Sequence, residues 1–331
     1  MFYRGVRKFQ RRCCMITIKH ALIVFFVGMF VVLTSAWMLN TEIPAPLTPA
    51  PVIGAPLIVP KRIFSRPKWD FTLKRICRNP PADSIQQENL TMEHQLPSHT
   101  HLCSLPVPQI ERTYAWYFNN IQTICGHLKR FGKVNDGGWD VCLEKNLVQK
   151  NNCLVYSFGI DFDFSFDDQI SEEWGCTVHS FDPSMNTPSY RRSSKVFFHN
   201  IGLSNFNGTT PDANWTMLTF QGLRQRLHHQ KVLPDVIKMD IEDWEWHVIP
   251  EMLSSKSLNG IKQFLVEFHF SNIPEADSEG FWISKLFLIK EIYAMGFRMT
   301  WATRNLLNVW RSRVTGKDII GCFEVTFIRR L

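Results

Sequence analysis

Residues 153–182 read CLVYSFGIDFDFSFDDQISEEWGCTVHSFD. An apolar run, Cys153–Phe158, breaks at Gly159 into a polar stretch. Asp168–Trp174 has the character of a short helix, and a second apolar run, Thr177–Phe181, ends at Asp182-Pro183. Strand, turn, helix and strand in this order form the unit from which parallel sheets are built.

The same alternation continues downstream. Lys195–Ile201 (KVFFHNI), Asp235–Met239 (DVIKM) and Ile261–Phe270 (IKQFLVEFHF) read as strands. Helices are expected over 217–229, 246–253 and 280–295, and two further strands over 297–302 and 319–329. Upstream, Tyr114, Phe118, Ile121, Ile124 and Leu128 recur at helical spacing, which predicts a helix over 112–131. The fold class is therefore α/β, a doubly wound and mostly parallel sheet. Its last strand follows a strand instead of a helix, so it is expected to add antiparallel at the sheet edge.

In such sheets ligands lie across the carboxyl ends of the strands, near the point where strand order reverses. The first strand runs into Ser157-Phe158-Gly159-Ile160-Asp161, where a glycine allows close backbone approach and the turn offers amide donors. The second ends at Asp182, 23 residues beyond Gly159. That is the spacing at which an acid meets ribose hydroxyls. An alternative role for Asp182 is to cap the next segment. The fourth strand ends Lys238-Met239-Asp240-Ile241-Glu242-Asp243-Trp244-Glu245-Trp246, and the fifth ends Glu267-Phe268-His269. Charged groups at the ends of core strands are costly to desolvate unless they pair or do chemistry. Lys238 with Glu267 is one candidate pair. The other reading is a carboxylate/histidine cluster able to orient an acceptor, take its proton or hold a metal.

The N-terminal third has a different character. The chain has 331 residues and a formal charge of +7. Nearly all of the surplus lies in Arg4, Arg7, Lys8, Arg11, Arg12 and Lys19, ahead of the first acid, Glu42. The near-neutral remainder lacks the basic surface that nucleic-acid binding needs. Ala21–Leu39, ALIVFFVGMFVVLTSAWML, is uncharged and as a helix would span roughly 28 Å, close to a bilayer core. A transmembrane signal anchor with residues 1–20 in the cytosol follows from the positive-inside bias; cleavage near Thr34-Ser35-Ala36 and secretion is the alternative. Cys13 and Cys14 at the boundary are either palmitoylation sites or idle thiols.

Prolines recur from Pro44 to Pro67, and residues 40–108 read as a Pro-rich stem; a small domain stapled by Cys77 and Cys103 is the other reading. The globular head covers 109–331. Seven cysteines follow the anchor, so at least one stays unpaired, and none forms the C-x-x-C pair of a structural zinc site. Sequons at Asn89, Asn207 and Asn214 lie on the expected lumenal side.

The ordered series DGGWDVC (136–142), VYSFGIDFDFSFD (155–167), VHSFDPS (178–184), NIGLS (200–204), IKMDIEDWEW (237–246) and VEFH (266–269) resembles the methyltransferase-like protein 24 group. More distantly it is similar to FkbM-type S-adenosylmethionine-dependent methyltransferases. The resemblance covers roughly residues 110–331. It implies a Rossmann-like methyltransferase fold and S-adenosylmethionine as cofactor. By carry-over Ser157, Phe158 and Gly159 would line the cofactor's amino-acid end, and Asp182 would bind its ribose diol. Asp240 would sit beside the methyl-transfer centre, with Glu242 and His269 next to it as catalytic groups. No metal ligand is implied. The chain has a single glycine in the first loop, and Asp243 stands where FkbM-type enzymes have the glycine of D-x-E-G.

The expected function is thus a membrane-anchored, lumenal methyltransferase of the secretory pathway, placed in the Golgi by its topology and stem. Its acceptor would be a hydroxyl, amine or carboxyl of a glycan, protein or small molecule. Two alternatives are a type II Golgi glycosyltransferase, which would use Asp161 and Asp163 on a metal-bound sugar nucleotide, and a non-catalytic protein that keeps the fold for binding. The sequence leaves oligomeric state open.

Overall fold

A computed structural model of the chain describes Cys77 and residues 96–134, 136–270 and 278–330, all within one of the two units into which the chain divides, Val59–Leu331. The expected tail, anchor and most of the stem lie outside the described residues. Among the described residues no helix is long and apolar enough to cross a membrane.

The first elements are helices α1 (His99–Ser104) and α2 (Val107–Phe118) and strands β1 (Leu128–Phe131) and β2 (Trp139–Cys142). Next come β3 (Leu154–Phe158), α3 (Ser165–Trp174), β4 (Thr177–Phe181), β5 (Tyr190–Arg191) and β6 (Val196–His199). Short strands β7 (Gly202–Leu203), β8 (Gly208–Thr209) and β9 (Thr216–Leu218) precede α4 (Phe220–Arg226). Strand β10 (Val236–Met239), α5 (Glu245–Ser254), β11 (Gln263–His269) and α6 (Ser278–Ala294) follow. The chain ends with β12 (Phe297–Arg304), β13 (Val309–Arg311), β14 (Asp318–Ile320) and β15 (Cys322–Arg329).

The main sheet has eight strands in the order β12-β15-β11-β10-β3-β4-β6-β5. Strands β6, β4, β3, β10 and β11 run parallel, whereas β15 is antiparallel to both of its neighbours. Strand order reverses between β3 and β10, so the carboxyl ends of β3, β4, β10 and β11 border one crevice. Every residue of β10 and β11 is buried, as strands covered on both faces require. Alternation divides them between two cores. Tyr156, Phe158, Ile237, Met239, Phe264 and Phe268 pack with the helices α2, α5 and α6. Val155, Val236 and Leu265 pack with the β1–β2 hairpin and α3, through Phe131, Trp139, Phe166 and Ile170. Three disulfides, Cys77–Cys103, Cys125–Cys142 and Cys153–Cys176, tie the described elements together.

Several sequence expectations need correction. The helix predicted over 112–131 spans Val107–Phe118 instead. After Asn119 the chain turns so that the amides of Gln122 and Thr123 donate to the Met299 carbonyl, leaving Ile121 and Ile124 exposed. Leu128 opens β1, opposite Cys142. The apolar spacing was thus shared between a helix, a turn and a strand. The helix expected over 217–229 is limited to Phe220–Arg226, because Met217 belongs to β9 and Thr219 caps the helix by accepting from the Gly222 amide. The antiparallel last strand lies inside the sheet and not at its edge: α6 carries the chain past one strand position to β12, and β15 fills the gap. Residues 96–104, expected in the stem, fold against the head. Leu96 and Leu102 are buried in the α2–α5–α6 core, and Cys103 of that segment is bonded to Cys77.

Candidate functional site

Gly159 leaves β3 with φ +77°, and a side chain there would collide with the Asp240 carbonyl. The glycine therefore serves a close crossing of the first loop over the end of β10. Lys238, 5% exposed, reaches back beneath this crossing. Its Nζ donates to the carbonyls of Phe158 (3.1 Å) and Gly159 (2.6 Å) and lies 3.8 Å from Asp240 Oδ2. These contacts, and not Glu267, take up Lys238, so the candidate Lys238–Glu267 pair does not form.

Asp182, at the end of β4, is buried and holds the loop from the other side. Its Oδ2 accepts from the amides of Ile160 (3.0 Å) and Asp161 (2.9 Å), and Oδ1 accepts from Ser184 (2.7 Å). Ser157 and Phe158 are fully buried, with the Phe158 ring stacked on Phe181. They can therefore offer a ligand only backbone at the strand end. Asp163 pairs with Lys133 at 2.9 Å and accepts from the Ser165 amide at the start of α3.

On the far side of the crevice, Glu242 and Asp243 both adopt left-handed backbone, φ 56° and 69°. Consecutive non-glycine residues in this region carry strain of the kind that collects at functional sites. The turn delivers Glu245 and Trp246 onto His269. Glu245 Oε1 accepts from both the His269 amide (2.8 Å) and its Nδ1 (3.1 Å), and Trp246 Nε1 donates to the His269 carbonyl (2.6 Å). His269 Nε2 then lies 3.9 Å from both Glu242 Oε2 and Glu267 Oε2. Burial alone would lower the His269 pKa, but the negative charge of Glu245 and the neighbouring Cys322 hold it well above its ordinary value. Burial pushes Glu267 up to about 8, with nearby Asp240 adding to the effect. Cys322 donates to Glu267 Oε1 at 2.8 Å. Behind β3, burial raises Asp167 to about 6 in spite of the hydrogen bond from Ser180 and the Lys238 charge.

Of the residues singled out in sequence, Gly159, Asp182 and Asp240 meet around the first loop, and Glu242 and His269 meet beside them. Three participants were not singled out. Glu245 has no signal of its own within its motif, since its contact with His269 depends on how α5 docks. Cys322 is brought opposite His269 by the β11–β15 register, which no local pattern announces. Asp167 carries no signal beyond being an acid in a helix.

Residues 83–308 match the family described as "Methyltransferase domain". Among curated proteins, the chain is 25% identical over 212 residues to probable methyltransferase-like protein 24 of Homo sapiens, covering 57% of this chain and 56% of that one. Its counterpart in Rattus norvegicus is 25% identical over 205 residues, covering 55% and 54%. The chain thus spans little more than half the length of these relatives. Among solved structures, the antibiotic-resistance methyltransferase Kmr aligns with a TM-score of 0.32 at 11% identity, over 62% of this chain and 100% of that one. The family match extends over more than half of the sequence, and the chain belongs to the methyltransferase domain family.

Proposed function

We propose that the chain is an S-adenosylmethionine-dependent methyltransferase with a Rossmann-like methyltransferase fold. We further propose that residues 21–39 anchor it in a membrane with the domain on the lumenal side of the secretory pathway. The observation that carries the catalytic reading is the convergence of Gly159, Asp182 and Asp240 at the strand-order reversal, in a chain that belongs to a methyltransferase family. Three disulfides and three sequons beyond the anchor support the lumenal part.

The residues present fit the cofactor at one well-defined point. A carboxylate offers about four acceptor positions. Asp182 spends three of them on backbone amides, which leaves one for a ribose hydroxyl. The bound cofactor would supply an electrophilic methyl group. The chain's own task is to position the acceptor and receive its proton. Asp240, whose side chain is 28% exposed, and Glu242, at 61%, are the carboxylates open to an acceptor. His269, held by Glu245 and Trp246, is a fixed wall beside them. The engagement of Asp163 with Lys133 and the Ser165 amide argues against the glycosyltransferase alternative, which needs that carboxylate for a metal.

Ligand-dependent melting of the full-length protein tests the reading. At 100 times its dissociation constant a ligand stabilises the native state by about 2.7 kcal/mol. For a domain of this size that raises Tm by roughly 5–10 °C. The shift is expected with S-adenosylmethionine or its demethylated product and absent with sugar nucleotides plus manganese. A shift with sugar nucleotides alone overturns the proposal, as does no shift with any of them.

A further inference from the structure

Cys322 is the free cysteine among the described residues; the other six are oxidised in pairs. It is 1% exposed and lies directly across from His269 in the antiparallel pairing of β11 with β15. One donor atom each from Glu267, His269 and Cys322 falls within 4.8 Å of the other two. All three side chains are buried.

The orientation of the imidazole is the second observation. His269 Nδ1 is committed to Glu245, a carboxylate with 0% exposure. When a cation replaces the Nε2 proton, the Nδ1–H stays on Glu245, and Glu267 and Glu242 each lie 3.9 Å from Nε2. A carboxylate fixing the tautomer of a histidine in this way is the usual outer partner of a metal ligand. Two carboxylates and a thiol near Nε2 offer a cation oxygen and sulfur partners beside the ring nitrogen.

We infer that Glu267, His269 and Cys322 form a binding site for a zinc-type divalent cation, with its fourth position open toward Glu242. One nitrogen, one sulfur and one oxygen donor suit zinc, whereas magnesium and calcium take oxygen ligands throughout. Three protein ligands and an open position are the pattern of a catalytic zinc site, not a structural one. Zinc–sulfur bonds near 2.3 Å and zinc–oxygen bonds near 2.0–2.2 Å place tetrahedral donors about 3.5 Å apart. The 2.8 Å contact between Cys322 and Glu267 therefore opens slightly on binding. The cation takes the place of the protons on His269 Nε2, the Cys322 thiol and Glu267, and all of them are released to solvent. A role for the metal in binding the methyl acceptor rests on the methyltransferase reading; the site itself does not.

The test uses the full-length protein in a Cys13→Ser, Cys14→Ser background, kept non-reducing so that the disulfides persist and Cys322 is the remaining thiol. Titrating the chelator-treated protein with Co2+ is expected to give a thiolate-to-cobalt charge-transfer band that saturates at one equivalent. Zn2+ should displace the band and Mg2+ should not. Cys322→Ser is expected to abolish the band, and Glu245→Gln to weaken Zn2+ affinity about 10- to 100-fold. X-ray absorption of the zinc-loaded protein without these substitutions removes any dependence on the variants folding. It should report one sulfur near 2.3 Å and otherwise nitrogen and oxygen. No band, a band that survives Cys322→Ser, or a sulfur count other than one overturns the site. S-adenosylmethionine binding, measured by calorimetry on the same protein, reports separately. A band without cofactor binding keeps the metal site and removes the methyltransferase reading, and the opposite result does the reverse.

Discussion

Three backbone N–H groups end on the Asp182 carboxylate, two from the first loop and one from Ser184. Asp182→Asn replaces one of those oxygens with an NH2 that faces donors. Leaving a buried donor unsatisfied costs about 1–3 kcal/mol, so the variant should melt several degrees lower. The ribose hydroxyl loses a charged acceptor at the same time, so S-adenosylmethionine affinity should fall about tenfold or more. Scanning calorimetry and titration calorimetry read the two effects, and a variant with unchanged affinity removes Asp182 from the cofactor site. Asp243 makes a second residue-scale case. With φ 69° it occupies a backbone conformation that glycine adopts freely. Asp243→Gly should therefore raise stability by roughly 0.5–1 kcal/mol, or a Tm increase of about 1–4 °C. A lower Tm would mean that contacts of the Asp243 side chain outweigh the backbone relief. The glycine and the acid 23 residues later were legible in sequence because their spacing is set by a strand–helix–strand unit. That the acid would hold the loop's own amides was not, since the contact depends on how a single-glycine loop closes.

Elements with a strong local pattern are where sequence and structure agree. β3, β4, β10 and β11 are apolar runs bounded by polar ends, and α3 is closed by Gly175 at φ 77°. The pattern misled where tertiary partners took over, as in the segment after Asn119, which the Met299 carbonyl and the Cys125–Cys142 bond hold out of the helix. The β1–β2 hairpin is hidden in the sequence because Leu128 and Phe131 of β1 continue the helical spacing read over 112–131. α3 also carries a titratable group into the core. Asp167 accepts from Ser180 Oγ at 2.6 Å, and burial raises its pKa from 3.8 to about 6. The folded state thus holds this proton more tightly than the unfolded chain does. Its contribution to stability is complete below pH 4 and is lost as pH rises through 6. The loss amounts to as much as about 3 kcal/mol for a two-unit shift. In Asp167→Asn the side-chain oxygen still accepts from Ser180 but the charge is gone, so this decline should disappear. Melting curves between pH 4 and 7 decide it: parallel pH dependences for the two proteins would show that Asp167 is not the titrating group.

At the scale of the whole molecule, the chain joins a basic tail and an apolar segment to a nearly neutral head that is cross-linked by disulfides. A head facing the cytosol would meet conditions that keep thiols reduced, whereas six of the seven described cysteines are paired. The proposed lumenal orientation would make the sequons usable, and their surroundings differ. Asn214 is exposed on the turn between β8 and β9, its backbone amide donating to Thr210. Asn207 is engaged by α4: its Oδ1 accepts from the Thr219 amide at 2.9 Å, and a side chain at Gly222 would collide with it. Asn214→Gln should therefore remove one glycan and, because φ 53° suits Asn better than Gln, lower the melting temperature slightly, whereas Asn207→Gln should disturb the start of α4 and lower it further. Protein expressed in mammalian cells should shift in mobility on endoglycosidase treatment, and the shift should shrink by one step in Asn214→Gln. In intact vesicles the head should resist added protease, while an epitope tag ahead of Arg4 should be removed. Loss of the head to protease together with no endoglycosidase shift would reverse the orientation, and with it the proposal that this methyltransferase domain works on acceptors inside the secretory pathway.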